Sequence, residues 1–209
     1  MINRHAAKDA LFTADDGTPA AWAYRHIDAN GQRRMFASLL HGTMANGMPS
    51  AIGLQKAEPG RQVVCMAGDG GISMLFGDLM TVVGQELPIK IAVYDNGKLG
   101  FVEIEQKAEG MLDTFTKLKN PNFAAVARAL GLWGETVTNA NQLETAVKDW
   151  LVQPGPALLH VHVNPMQLVM PPSPFVRPEA VVGMAVYTAK AMLHGKGRDV
   201  WEMIVENVP

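Results

Sequence analysis

The 209-residue sequence predicts an α/β fold: a doubly wound, mostly parallel sheet with helices on both faces. Three observations predict it. Short apolar runs such as Val63–Ala67 and Ile89–Tyr94 have the length and continuity of strands buried on both faces. Stretches of helical length and period alternate with them. Glycine-rich turns stand where strand gives way to helix, above all Gly68-Asp69-Gly70-Gly71.

In chain order, Leu11–Ala14 reads as the first strand and Asp15–Pro19 as the turn after it. Ala20–His26 is a short helix, Asn30-Gly31 a turn and Arg34–Ala37 the second strand. His41–Leu54 is punctuated by Gly42, Gly47 and Gly53, and Pro49 suits the first turn of a helix running to Ala57. After Val63–Ala67, Ile72–Gln85 reads as one helix with Met74, Leu75, Leu79, Val82 and Val83 apolar. Ile89–Tyr94 is the next strand and Asn96–Val102 a loop. Glu103–Gly110 is a helical turn or two whose charges, Glu103, Glu105, Lys107 and Glu109, read as a solvated face. Asn120-Pro121-Asn122 caps a helix over Phe123–Leu130 that ends at Gly131. Glu135–Val137 is a short strand. Asn141–Leu151 is an amphipathic helix with Leu143, Ala146, Val147 and Trp150 on one face. Ala157–Val163 is the last strand. His160 and His162 share one of its faces, a spacing that could suit a metal, but no third ligand is near and packing is the favoured reading. The four prolines of residues 170–180 make a stiff, extended connection. They divide the chain into a domain over 1–170 and a helical tail over 171–209, with helices at Glu179–Leu193 and Asp199–Val205.

Composition narrows the class. Hydrophobic residues make up 48% and charged ones 18%, the balance of a globular chain able to bury a full core. A net charge of −2 leaves no nucleic-acid footprint. The single cysteine, Cys65, lies on a core strand, so it reads as buried and structural and suits a reducing compartment. No apolar run approaches the ~20 residues of a membrane helix, and the N-terminus has no apolar signal core. The expected location is cytoplasmic.

The chemistry centres on Asp69. A glycine-rich turn opening a helix favours an anion such as phosphate. A carboxylate inside that turn repels one unless a cation lies between, and Mg²⁺ takes oxygens from carboxylate and phosphate together. The strand Ile89–Tyr94 delivers Asp95 and Asn96 to the same edge of the sheet.

Gly68-Asp69-Gly70, then residues 71–94, then Asp95-Asn96, resembles the metal–diphosphate motif of thiamine diphosphate enzymes, GDG followed at this distance by NN. The whole chain resembles the C-terminal diphosphate-binding domain of the pyruvate oxidase group, closest to the quinone-dependent pyruvate dehydrogenases. The matching text is FTADDGTP at 12–19, HGTMANGMPSAIG at 41–53, GDGGISMLFGDL at 68–79 and LGFVEIEQKAEG at 99–110. One position departs: Asp95 stands where the family has its first Asn.

The resemblance implies thiamine diphosphate and Mg²⁺ as cofactors. Asp69 through its carboxylate, Asn96 through its side-chain oxygen and Lys98 through its backbone oxygen would hold the metal. Gly70, Gly71 and Ser73 would donate to phosphate, with Gly68 shaping the turn. Gly17 and Thr18 would lie against the diphosphate, although an ordinary loop explains them equally well. Met44, next to Gly42 and Thr43, would wedge beneath the cofactor and hold it bent. Leu99, Gly100 and Phe101 complete the cofactor-binding set. His41 reads as a satisfied loop histidine.

The implied reaction is decarboxylation of a 2-oxo acid, pyruvate first, with electrons passing through FAD to quinone. In the resembled enzymes the activating glutamate and the flavin domain lie elsewhere, and ~200 residues cannot hold three such domains. The chain is therefore expected to be a fragment, a separate subunit or a truncated copy, inactive alone, with FAD only in the full-length enzyme. Alternatives are the small subunit of a split decarboxylase, an acetolactate synthase-like enzyme, or a non-catalytic cofactor-binding module. A homo-oligomer, at least a dimer, is expected, because the family's cofactor lies between chains. The tail either docks as a helix or, as in the quinone-reducing relatives, covers the site and moves to the inner face of the membrane. Its charge pattern implies at most weak peripheral membrane contact and a mobile segment.

Overall fold

In chain order the elements are α1 (Ile2–His5), β1 (Leu11–Ala14), α2 (Thr18–His26), β2 (Arg34–Phe36), α3 (Gly47–Ala57) and β3 (Val63–Gly68). Next come α4 (Asp69–Met74), α5 (Asp78–Gly84), β4 (Lys90–Asp95), α6 (Gly100–Ala108), α7 (Phe123–Ala129) and β5 (Trp133–Val137). The chain closes with α8 (Ala140–Leu151), β6 (Ala157–His162), α9 (Pro178–Leu193) and α10 (Gly197–Asn207). This computed structural model describes residues 1–167 and 177–207. They fall into two units, Met1–Asn96 with Lys119–Val163, and Gly97–Leu118 with Asn164–Pro209. The boundary expected at 170, and most of the proline-rich stretch that suggested it, lie outside the described residues.

The first unit is built on six strands in the order β2-β1-β3-β4-β6-β5, every pair parallel. Helices cover both faces, as the doubly wound expectation requires. Alternate residues sort to the two layers because strand side chains alternate. Leu11, Val63, Cys65, Ile91, Val93 and Leu158 pack under α3, α5 and α7, through Met48, Ala51, Leu79, Val82 and Phe123. Phe12, Val64, Met66, Ala92 and Leu159 pack under α2 and α8, through Ala20, Ala23, Val147 and Trp150. Trp150 is fully buried, and its indole N–H donates to the Ala157 carbonyl at 3.0 Å, which satisfies its one polar atom.

The helix expected over Ile72–Gln85 is two. It starts earlier, at Asp69, breaks after Met74 and resumes at Asp78. The break has a local cause. Gly77 would cost about 1 kcal/mol inside a helix, and Asp78 is better placed in a first turn, where its charge meets the positive helix end. Phe76 at the break turns inward and packs against the core. α1 was not anticipated, being one turn of a segment without clear periodicity.

In the second unit, α9 lies against α6, and Gly183 is the point of contact. A Cβ there would collide with the Ala108 carbonyl, and a Cβ on Gly110 would meet Val186 at 3.0 Å. Tyr187, Ala191, Val200 and Met203 form a small core joined by Leu112 and Met184. Of the four charges expected on a solvated face, Glu105 and Glu109 are exposed and the other two are not. Glu103 and Lys107 are buried, and one Glu103 oxygen accepts from Lys107 Nζ at 2.6 Å and Lys98 Nζ at 2.8 Å. Burial pushes the Glu103 carboxyl up, but the bonds and charges of Lys107 and Lys98 outweigh it and hold the group below its ordinary value. Burial is tolerated because the carboxylate brings its counter-charges with it. Among the described residues, no helix is long and apolar enough to cross a membrane.

Candidate cofactor and metal site

The strand order reverses direction between β1 and β3: the chain goes outward from β1 to β2, then returns to build β3 and β4 on the other side. Ligands of open α/β sheets bind at the carboxyl ends beside such a switch point. β3 ends there in Gly68, and Asp69 is the first residue of α4. β4 ends in Asp95, with Asn96 next in the chain. In register, Gly68 pairs with Tyr94, so Asp69 and Asp95 leave the sheet side by side.

Asp69 is only 4% exposed and Asp95 6%. One amide serves both: Asn120 Nδ2 donates to Asp69 Oδ2 at 2.7 Å and to Asp95 Oδ1 at 2.8 Å. The other Asp95 oxygen, Oδ2, lies 2.9 Å from His160 Nε2. The result is a buried polar chain, Asp69–Asn120–Asp95–His160. Burial pushes the Asp69 carboxyl up to about 6; the Asn120 hydrogen bond opposes this and the Asp95 charge adds to it. Two buried carboxylates sharing a neutral amide make a donor set that gains from a cation, and Asp69 with Asn96 offers the oxygens a hard divalent ion takes. Lys98 follows two residues later, in the second unit, where its ammonium binds Glu103.

Behind the turn lies a second buried acid that the sequence reading passed over. Asp15, at the end of β1, is 1% exposed. Its Oδ1 accepts from Gly47 N at 2.8 Å, and its Oδ2 has no partner. Burial pushes this carboxyl up to about 6 as well. A Cβ on Gly71 would run into Asp15 Oδ2. Glycine at 71 is therefore demanded by the acid behind the turn, whatever binds in front of it.

The remaining expected residues fall as follows. Gly70 and Gly71 are buried in the first turn of α4, where backbone N–H groups have no intrahelical acceptor. Ser73 Oγ donates to the Asp69 carbonyl at 2.7 Å, so its proton is used within the helix. Gly17 caps α2 and Thr18 opens it. Gly42 and Thr43 are exposed, Met44 half-buried, and Thr43 Oγ1 meets Ser38 Oγ at 2.9 Å. Leu99, Gly100 and Phe101 stand at the start of α6. His41 is exposed.

One reading is narrowed and one corrected. The Asn120-Pro121-Asn122 cap of α7 is made by Asn122, its side chain accepting from Ala125 N at 2.9 Å, while Asn120 serves the two carboxylates. His160 and His162 do have a third candidate ligand. Asp95 pairs with His162 in the β4–β6 register and reaches both rings across 65 and 67 residues of sequence.

Comparison with known proteins agrees with this geometry. Residues 15–161 match the family model of the thiamine pyrophosphate enzymes, C-terminal TPP binding domain. YdaP of Bacillus subtilis (strain 168), described as thiamine pyrophosphate-containing, is 38% identical over 163 residues, 78% of this chain and 28% of its own length. The acetolactate synthase isozyme 2 large subunit of Escherichia coli (strain K12) is 36% identical over 165 residues, covering 78% of this chain and 30% of that subunit. Among solved structures, a thiamine diphosphate-dependent 4-hydroxybenzoylformate decarboxylase of Rhodococcus jostii RHA1 superposes with a TM-score of 0.71 at 25% identity, over 78% of this chain and 31% of that one. The chain thus spans under a third of the length of the relatives it matches. With its parallel sheet, its buried acid in the GDG turn and this match over most of its length, the chain belongs to the thiamine pyrophosphate enzyme family, as a C-terminal TPP-binding domain.

Proposed function

We propose that this chain supplies the diphosphate- and Mg²⁺-binding half of an enzyme that decarboxylates a 2-oxo acid, pyruvate first among candidates. The observation that carries the proposal is Asp69, a buried carboxylate at the first residue of the helix after β3, oriented by Asn120. When bound, thiamine diphosphate supplies a nucleophilic carbon that adds to the keto carbon and lets carbon dioxide leave. This chain's residues hold and position. Asp69 and the Asn96 side-chain oxygen would bind the cation that neutralises the diphosphate. Asn120 fixes the Asp69 carboxylate from behind, the part that outer-shell groups play at metal centres. Met44 would prop the cofactor. The activating carboxylate and any FAD come from outside these residues.

What becomes of the acyl group is a second question. The acetolactate synthase large subunits among the relatives favour condensation to acetolactate over electron transfer through FAD to quinone. Assembly as at least a dimer is supported by exposed apolar side chains, Leu39 and Leu40 in the first unit and Phe115 in the second. A cytoplasmic location, with at most weak peripheral membrane contact through the tail, completes the reading.

Calorimetric titration of thiamine diphosphate, with and without Mg²⁺, tests it. Binding that needs Mg²⁺ and disappears in Asp69→Ala supports the proposal, and unchanged affinity in the variant refutes it. With the complementary pyrimidine-binding domain present, pyruvate turnover to acetolactate, or to acetate with quinone reduction, separates the two fates.

A further inference from the structure

We propose that Asp95, His160 and His162 form a second cation site, for a borderline divalent transition ion of the Zn²⁺ class, distinct from the Mg²⁺ site at Asp69 and Asn96. The sheet builds it. Val93 pairs with His160 and Asp95 with His162 along β4 and β6, so all three side chains rise on the α7 face at the carboxyl end of the sheet. Their ligand atoms lie within 4.8 Å of one another. Asp95 Oδ2 is 2.9 Å from His160 Nε2 and 4.0 Å from His162 Nδ1. With metal–ligand bonds of about 2.0–2.1 Å, neighbouring ligands of a tetrahedral ion stand roughly 3.4 Å apart. The His160–Asp95 pair must open by about half an ångström and the His162–Asp95 pair close by about as much, the ion taking the place of the Nε2 proton. Asn120 fixes the far Asp95 oxygen, and the Phe123 ring stands edge-on to His160 at 5.2 Å. The ligand with most room to adjust is His162, which is 48% exposed, its ring 4.5 Å from that of His160.

Ligand chemistry selects the ion. Two imidazoles with one carboxylate suit Zn²⁺, Co²⁺, Ni²⁺ or Cu²⁺, whereas Mg²⁺ takes oxygens. The two oxygens of Asp95 face different ways: Oδ1 meets Asn120, and Oδ2 meets the imidazoles. A cation at Asp69 and one at His160–His162 can therefore coexist with the Asn120 amide between them. The half-exposed edge at His162 is the entry path and leaves room for a water or small anion as a further ligand. This site stands independently of the thiamine diphosphate reading.

The test is titration of the protein with Co²⁺ in millimolar Mg²⁺ and without thiamine diphosphate, followed by visible absorption, with Zn²⁺ as competitor. One Co²⁺ per chain is expected, displaced by Zn²⁺. Its affinity should fall at least about tenfold in His162→Ala and in Asp95→Asn and stay unchanged in His41→Ala. His162→Ala removes a half-exposed side chain, so its folding is not at stake; near-identical circular dichroism confirms this. No stoichiometric Co²⁺ binding by the wild-type chain, or equal binding by His162→Ala, overturns the proposal.

Discussion

Replacing Asp15 by Asn should make the protein's stability less sensitive to pH. The Asp15 carboxyl is 1% exposed and one of its oxygens has no partner, and burial lifts its pKa from 3.8 to about 6. A rise of about two, at ~1.4 kcal/mol for each, means that keeping this group ionised in the folded state costs roughly 3 kcal/mol. The sign follows from proton binding. The folded state holds the proton up to about pH 6 and the unfolded chain only to about pH 4, so stability is fully present below pH ~4 and is lost as pH rises through ~6. The substituted side chain has no proton to lose. Its oxygen can still accept from Gly47 N, while its amide brings a fixed offset because it buries N–H groups where Oδ2 stood. Urea denaturation of both proteins at pH 4.5 and 8 gives the difference directly. The variant should gain on the wild type by roughly 2–3 kcal/mol between those pH values, with unchanged m. A stability difference that does not move with pH would show that Asp15 does not keep its proton up to about pH 6 in the folded state.

Three further substitutions probe the packing. Gly71→Ala should lower stability by about 1–3 kcal/mol, because its Cβ meets the Asp15 carboxylate, and should also weaken Mg²⁺-dependent cofactor binding by displacing the GDG turn; denaturation and calorimetry read the two effects. Gly183→Ala should separate α9 from α6 at a similar cost of about 1–3 kcal/mol, seen as earlier proteolysis within Gly97–Leu118. Glu103→Gln removes the carboxylate that Lys98 and Lys107 both bond, and a loss of about 3 kcal/mol is expected by denaturation.

Local signals made much of the fold legible. Val63–Gly68 and Lys90–Asp95 are strands with apolar interiors over 64–67 and 91–93, the near-continuous apolar pattern of a parallel strand buried on both faces. Gly68-Asp69-Gly70 located the turn because a carboxylate among glycines at a strand end has few structural explanations. What escaped was long-range pairing. Glu103 and Lys107 look like surface charges in sequence, since their burial depends on Lys98 and Tyr187 arriving from other segments, the Lys107 ammonium lying 5.1 Å from the Tyr187 ring. Asn120 resembled a cap because it stands two residues before the true one, and its carboxylate partners are 51 and 25 residues away. Asp15 could have been found: an acid between a buried strand and Gly17 stands at the same sheet edge as Asp69.

The departure at position 95 fits its surroundings. Asp95 Oδ2 lies 2.9 Å from His160 Nε2; where that oxygen accepts, the His160 proton sits on Nε2 and Nδ1 is a buried acceptor without a partner. Burial keeps the ring neutral by lowering its pKa, against the pull of Asp95. Asp95→Asn, which installs the family's residue, offers one oxygen and one NH₂ instead of two oxygens. Asn120 Nδ2 donates toward position 95 and toward Asp69, so the new oxygen must turn to Asn120 and the new NH₂ to His160. His160 Nε2 then has to accept, and the ring proton moves to Nδ1, where it is buried without an acceptor. An unpaired buried donor costs about 1–3 kcal/mol, partly offset by removing the Asp95 charge that presses on Asp69. The sharper readout is therefore the tautomer. Nitrogen NMR of the His160 ring should report an Nε2–H form in the wild type and an Nδ1–H form in Asp95→Asn. An Nε2–H ring in both proteins would mean that His160 takes its orientation from something other than Asp95.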